Sequence, residues 1–286
     1  MMPEDIPSGD PSVSGSAAPN SMRSFALISD IHGNLPALDA VLKDIDAHGL
    51  GTATYCLGDL VGYGPDPAGV VARIRSGGTP TIRGNYDDGV GNRRGECGCY
   101  YATDRAKQDG AASYAFTDAA LSDADHEWLA SLPAEIRLEV EGLRVLLSHG
   151  SPRKINEYLL PDRTDEQLIR LAAQANADVV CVGHVHLPYH RAMTTEGGGR
   201  IHYVSSGSVG KPKDGDPRAG WVEVVVGSRE EVLALAKQDG SASAAGDSDT
   251  WVAAVSHRVP YDIESVIADM RGVGLPETLM EALAQA

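Results

Sequence analysis

The chain has 286 residues, 42% of them hydrophobic and 22% charged, an ordinary globular mix long enough to bury a core. Its formal net charge of −16 argues against a nucleic-acid surface, because unspecific affinity for polyanions comes from Lys and Arg. No apolar run reaches the roughly 20 residues that cross a bilayer, and no N-terminal stretch has signal-peptide character, so a cytoplasmic protein with no membrane association is expected.

Residues 1–22, rich in Pro, Ser, Gly and Asp, read as a disordered leader, and residues 23–286 as one domain. Phe25 to Ile28 is a strand that runs out at Asp30-Ile31-His32-Gly33-Asn34. Leu38, Val41, Leu42 and Ile45 then fall at helical spacing, with Gly49 as a stop signal. Tyr55 to Leu57 ends at Gly58-Asp59, and Asp66-Pro67 opens a second helix ending near Gly77. Thr81-Ile82 leads into Gly84-Asn85-Tyr86-Asp87. Glu135 to Val140 and Leu143 to Leu147 flank a tight Glu141-Gly142 turn, and His149 follows. Thr164-x-x-Gln167 starts a third helix running to about Asn176.

Val179 to Val182 ends at Gly183-His184-Val185-His186, where extended alternation would turn both imidazoles to one side. Ile201 to Val204 and Trp221 to Val226 are strand-like, and Val232 to Ala236 reads as strand, with helix as the alternative. Asp239 to Thr250 reads as a flexible loop. Trp251 to Val255 resumes the sheet, and Ile263 to Ala286 supplies one or two helices. The fold class is therefore α/β, two packed β-sheets flanked by helices.

Asp30, His32, Asp59, Asn85, His149, His184 and His186 each follow an apolar run, the position where open α/β folds gather ligand-binding groups. Oxygen donors and imidazoles without thiolate suit Mn, Fe or Zn in a catalytic setting better than a closed structural zinc site. One carboxylate, Asp59, can bridge two ions about 3.5–4 Å apart, the spacing of two-metal hydrolytic centres.

Other residues carry two readings each. Cys56 and Cys181 lie inside strands and read as buried thiols, whereas Cys97 and Cys99 read as loop packing or as a redox or accessory-metal pair. Asn34 either caps the first helix or approaches a phosphate. Arg153 and Lys154 either bind phosphate or are a solvated pair, and Lys211, Lys213 and Arg218 form a candidate substrate rim. His190 and His202 are candidates to line the cleft, while His48, His126 and His257 read as surface or packing residues.

The ordered blocks Asp30-x-His32, Gly58-Asp59, Gly84-Asn85, a lone His149 and Gly183-His184-x-His186 resemble the calcineurin-like metallophosphoesterase superfamily, over roughly Phe25 to Val226. The resemblance implies that Asp30, His32 and His186 hold one divalent ion, that Asn85, His149 and His184 hold a second, and that Asp59 joins them. It implies hydrolysis of a small phosphomonoester or phosphodiester by attack of a metal-bridging hydroxide on phosphorus. Tyr86 stands where many relatives carry the histidine thought to protonate the leaving group, and a phenol of pKa about 10 is a poorer proton shuttle than imidazole. Either Tyr86 is a weak acid, or His202 substitutes, or the leaving group needs no protonation. Asp87 is assigned an orienting role. The Asp30 to Asn34 extension resembles the dinucleoside polyphosphate hydrolase branch. A nuclease and a non-catalytic metal-binding scaffold or interaction module are the remaining readings.

Overall fold

The computed structural model describes residues 23–238, 243–247 and 249–286. The leader assigned to residues 1–22 lies outside them. Two five-stranded mixed sheets pack face to face. The first has the order β2-β1-β8-β10-β9, built from β1 (Ser24–Ile28), β2 (Thr54–Cys56), β8 (Ala219–Gly227), β9 (Ser243–Asp247) and β10 (Thr250–Val259). The second has the order β3-β4-β5-β7-β6, from β3 (Glu135–Val140), β4 (Leu143–Ser148), β5 (Val179–Val182), β6 (Pro188–Thr194) and β7 (Arg200–Ser206).

Strand alternation divides the core. In β1, Phe25 and Leu27 face the second sheet together with Val145, Leu147, Val179, Cys181 and Val204, whereas Ala26 and Ile28 face the helices outside. That outer layer includes α1 (Leu35–Ala47) and α2 (Pro67–Gly77), whose Leu38, Val41, Ile45, Val70, Val71 and Ile74 are buried. On the far side of the second sheet, α6 (Asp165–Ala175) lays Leu168, Leu171 and Ala172 on Leu146, Val180 and Val182. Cys56 and Cys181 are fully buried thiols, as expected.

The caps follow the sequence closely. Asn34, Asp66 and Thr164 each accept a backbone N–H at the start of their helix, and Gly78 and Asn176 close α2 and α6 in the left-handed conformation. The β3–β4 turn has positive φ at both Glu141 and Gly142, the twist that a two-residue hairpin requires.

Several segments differ from expectation. Val232 to Ala236 lies inside a helix, α7 (Arg229–Gln238), because Glu230 and Glu231 supply an acidic first turn. Part of the stretch read as a loop is β9, whose Ser, Ala and Gly residues need only main-chain bonds to pair with β10 from Ser243 to Asp247. Thr81-Ile82 shrinks to a single parallel bridge between Cys56 and Thr81. Weak apolar periodicity concealed α3 (Asn85–Gly91), α4 (Asp104–Ala120) and α5 (Asp123–Ser131). The C-terminal segment forms α8 (Ile263–Gly272) and α9 (Glu277–Gln285). Among the described residues, no helix is long and apolar enough to cross a membrane.

Candidate metal centre

Strands β1 and β2 run parallel in one sheet and β4 and β5 in the other, and the loops leaving their C-terminal ends meet at one rim. All seven sequence-assigned ligands lie there and are at most 3% exposed. Donor atoms of Asp30, His32 and His186 lie within 4.8 Å of one another, and so do those of Asp59, His149 and His184. Asp59 Oδ2 stands between the groups, 3.4 Å from His149 Nε2 and 3.8 Å from His32 Nε2. Asn85 Oδ1 is 3.1 Å from His149 Nε2.

Backbone conformation brings them together. Asp30, His32, Asp59, His184 and His186 all have φ between 50° and 65°, sparsely populated for side-chain-bearing residues and concentrated at functional sites. The two histidines of Gly183-His184-Val185-His186 therefore sit on a turn, not on an extended strand. His184 joins the Asp59 group and His186 the Asp30 group, so one short segment still serves both. Gly58 and Gly84 permit the closest approach: a Cβ on Gly84 would lie 2.2 Å from both Asp59 N and Asp59 Oδ1, and one on Gly58 would lie 2.3 Å from Gly84 N.

Hydrogen bonds set the imidazole tautomers. His32 Nδ1–H donates to Val61 O at 3.0 Å, His149 Nδ1–H to Leu57 O at 2.7 Å, and His186 Nδ1–H to Lys211 O. Each neutral ring then presents an Nε2 lone pair to the centre, the arrangement in which a backbone carbonyl orients a metal-bound histidine. His32 Nε2 and His186 Nε2 face each other at 3.3 Å, acceptor against acceptor. Asp30 Oδ1 and His184 Nε2 are buried without a hydrogen-bond partner. Such a nest of inward acceptors with orphaned atoms in both halves is what divalent cations satisfy, so the donor set fits two metal ions.

Charge distribution agrees. Burial would raise the Asp30 carboxyl, but His186 above all, with His149 and His32, holds it far below the usual range. Burial pushes His32 and His184 down to about 3, favouring the neutral form a ligand needs. His149 is the exception: burial lowers it, yet the charge and hydrogen bond of Asp59, with Asp30 and the Leu57 carbonyl, together outweigh this and carry it to about 9.

Asp87 accepts the backbone N–H groups of Asp59 at 2.8 Å, Leu60 at 2.9 Å and Gly84 at 2.9 Å, so it holds the Asp59 turn. Burial, then the Asp59 charge, raises its carboxyl to about 7. Tyr86 is 1% exposed, its ring 5.5 Å from that of His32, and burial drives its phenol well above 10.

Three candidate substrate-binding side chains are engaged elsewhere. Asn34 spends both Nδ2 hydrogens, on Gly210 O and Tyr261 Oη, and its Oδ1 accepts Ala37 N–H, so it is a helix cap with no donor left for phosphate. The Arg153 guanidinium is gripped by both oxygens of Glu157, at 2.8 and 2.6 Å. His202 pairs with Val179 at the start of β5, the opposite end from His184, and bonds to His190 at 3.0 Å, so neither histidine reaches the rim. In each case a local partner captured the side chain. Of the proposed rim, Lys211 lies with its Nζ 4.7 Å above the Tyr63 ring and is lowered to about 8 by burial and by Lys213. Arg218 turns away to Asp216.

Sequence spacing missed three neighbours of the ligands. Tyr63 packs edge-on to His32 with ring centroids 4.9 Å apart, and Tyr158 lies 4.1 Å from His184. Cys99 Sγ accepts Asn85 Nδ2–H at 3.1 Å, and Cys97 O accepts from the same nitrogen at 3.0 Å. Only the Cys-x-Cys pair had stood out, through its composition.

Two helix-flanked sheets with oxygen and imidazole donors gathered at their strand ends define the architecture of a metal-dependent phosphoesterase. Residues 23–227 match the sequence profile of the calcineurin-like phosphoesterase superfamily domain, and the chain belongs to that superfamily. It is 34% identical over 211 residues to an uncharacterized protein of Methanocaldococcus jannaschii, covering 69% of this chain and 80% of that protein. A crystal structure of a metallophosphoesterase from Sphaerobacter thermophilus is similar at 27% identity and TM-score 0.63, covering 92% of this chain and 98% of the other. A hypothetical protein of Pyrococcus horikoshii shares the fold at 21% identity and TM-score 0.69, covering 91% and 97%.

Proposed function

We propose that this protein hydrolyses a small phosphomonoester or phosphodiester with two divalent metal ions. The observation that carries the reading is the 3.3 Å approach of the His32 and His186 Nε2 lone pairs, beside the buried and unpartnered Asp30 Oδ1 and His184 Nε2. Asp30, His32 and His186 would hold one ion, Asn85, His149 and His184 the other, and Asp59 would join them. Mn, Fe or Zn bound there would supply Lewis acidity toward a phosphoryl oxygen and a nucleophilic water at neutral pH.

The chain's own groups prepare that chemistry. The carbonyls of Leu57, Val61 and Lys211 fix three imidazole tautomers, and Asp87 holds the Asp59 turn. Lys211 and Lys213 bring positive charge close to Asp30 and His186, where it would favour an anionic substrate. Tyr86, its phenol driven up by burial, keeps its proton throughout the neutral range and is a poor general acid. That favours leaving groups that depart without a proton, as in aryl phosphates and nucleotide pyrophosphates.

Chelator-stripped protein reloaded with Mn²⁺, Fe²⁺ or Zn²⁺ and offered an aryl monoester, an aryl diester and a dinucleotide tests the reading. Turnover of an aryl or pyrophosphate substrate, retained in Tyr86→Phe, is the expected result. Two bound metals with no turnover on any of the three would instead indicate the scaffold.

A further inference from the structure

Beyond the rim, a third group of metal-binding side chains lies at the far end of α1. Asp44 and His48 occupy one turn, four residues apart, with His48 Nδ1 3.7 Å from Asp44 Oδ2, and His257 faces them from β10. Donor atoms of Asp44, His48 and His257 all fall within 4.8 Å of one another. The ring centroids of His48 and His257 are 4.8 Å apart.

The surroundings orient these donors. Trp221 Nε1–H donates to Asp44 Oδ2 at 2.8 Å, fixing the carboxylate, and the Trp221 ring stacks on His257 at 4.0 Å with a 9° interplanar angle. His48 Nδ1–H donates to Asp44 O at 2.8 Å, which leaves the His48 Nε2 lone pair free. His257 Nε2 is buried, makes no hydrogen bond, and lies 3.5 Å from Glu223 Oε2. A carboxylate ordered by an indole, two imidazoles from separate elements and a second carboxylate beside one of them are more than a solvated helix end requires.

We propose that Asp44, His48 and His257 form a separate binding site for one divalent transition-metal ion, with Glu223 as the partner that orients His257. Two imidazoles and carboxylate oxygen suit Zn²⁺ or Cu²⁺ rather than Mg²⁺ or Ca²⁺, which take oxygen shells. A bound ion would tie the C-terminal turn of α1 to β8 and β10.

Trp221 provides a local reporter. Chelator-stripped full-length chain is titrated with Cu²⁺ while tryptophan fluorescence is followed, and bound Zn²⁺ per chain is counted after removal of excess. Three Zn²⁺ per chain and a saturable fluorescence quench are expected, with the quench persisting in Asp59→Asn, which damages only the rim. His48→Gln, an exposed substitution that leaves the Trp221–His257 stack in place, is expected to weaken the quench about tenfold or more and to remove one Zn²⁺ while leaving phosphoesterase turnover unchanged. The proposal is overturned by a quench that survives His48→Gln at wild-type affinity, by one lost in Asp59→Asn, or by a wild-type chain that binds no third ion.

Discussion

Asn85 donates Nδ2–H to Cys99 Sγ at 3.1 Å while its Oδ1 faces His149 Nε2 at 3.1 Å. The thiol thus helps decide which end of the amide faces His149. Cys99→Ala removes that anchor and leaves only the Cys97 carbonyl. Affinity for the second ion is expected to fall about tenfold, the low end for loss of a group that orients a ligand. Stepwise metal titration checks this, and equal affinities in parent and variant would discard it.

The Asp59 carboxylate is within 4 Å of imidazole nitrogens from both groups, whereas Asp30 meets the His32 and His186 rings but only the backbone N–H of His184. Asp59→Asn is expected to lower the occupancy of both ions and reduce turnover at least a hundredfold. Asp30→Asn should spare the second ion. Elemental analysis of the two variants distinguishes a bridging Asp59 from a carboxylate that serves one ion.

Asp87 satisfies three backbone N–H groups in a fully buried position. Replacing it by Ala leaves those donors without a partner, at about 1–3 kcal/mol each, so a loss of about 3 kcal/mol or more is expected. Urea unfolding of the metal-free proteins measures it. A change under 1 kcal/mol would mean that water replaces the carboxylate.

Asn34→Ala separates helix capping from substrate binding. With the cap at α1 lost, stability should drop by about 1 kcal/mol while KM for a small aryl phosphate stays constant. A raised KM without loss of stability would restore the phosphate-binding role.

Glu157 is held down at about 2 by its hydrogen bond to Arg153, against burial, with help from Ser151 and Arg163. Its folded value is depressed, so its stabilising contribution is present above the unfolded value of 4.5 and is lost as pH falls toward 2. Glu157→Gln is therefore expected to melt below the parent at pH 7, with the gap closing between pH 4.5 and 2. A gap that is constant with pH would locate the stabilisation in shape rather than charge.

The α/β alternation, the hairpin at Glu141-Gly142, the caps at Asn34, Asp66 and Thr164 and the placement of the seven candidate ligands after strand ends could be read from the chain alone. Apolar runs ending in Gly, Asp or His, and Ser, Thr, Asp or Asn preceding a helix, are local signals that act over a few residues. Tertiary structure decided which side chains remained available. Arg153, Asn34 and His202 had the right chemistry, but Glu157, Gly210 with Tyr261, and His190 respectively captured them. Glu157 is only four residues from Arg153, but Gly210 and Tyr261 lie 176 and 227 residues from Asn34, beyond any short-range pattern. Conversely, Tyr63 meets His32 and Tyr158 meets His184 because parallel neighbouring strands deliver their loops side by side, and Cys99 meets Asn85 because its loop folds back, consequences of packing that spacing along the chain does not encode.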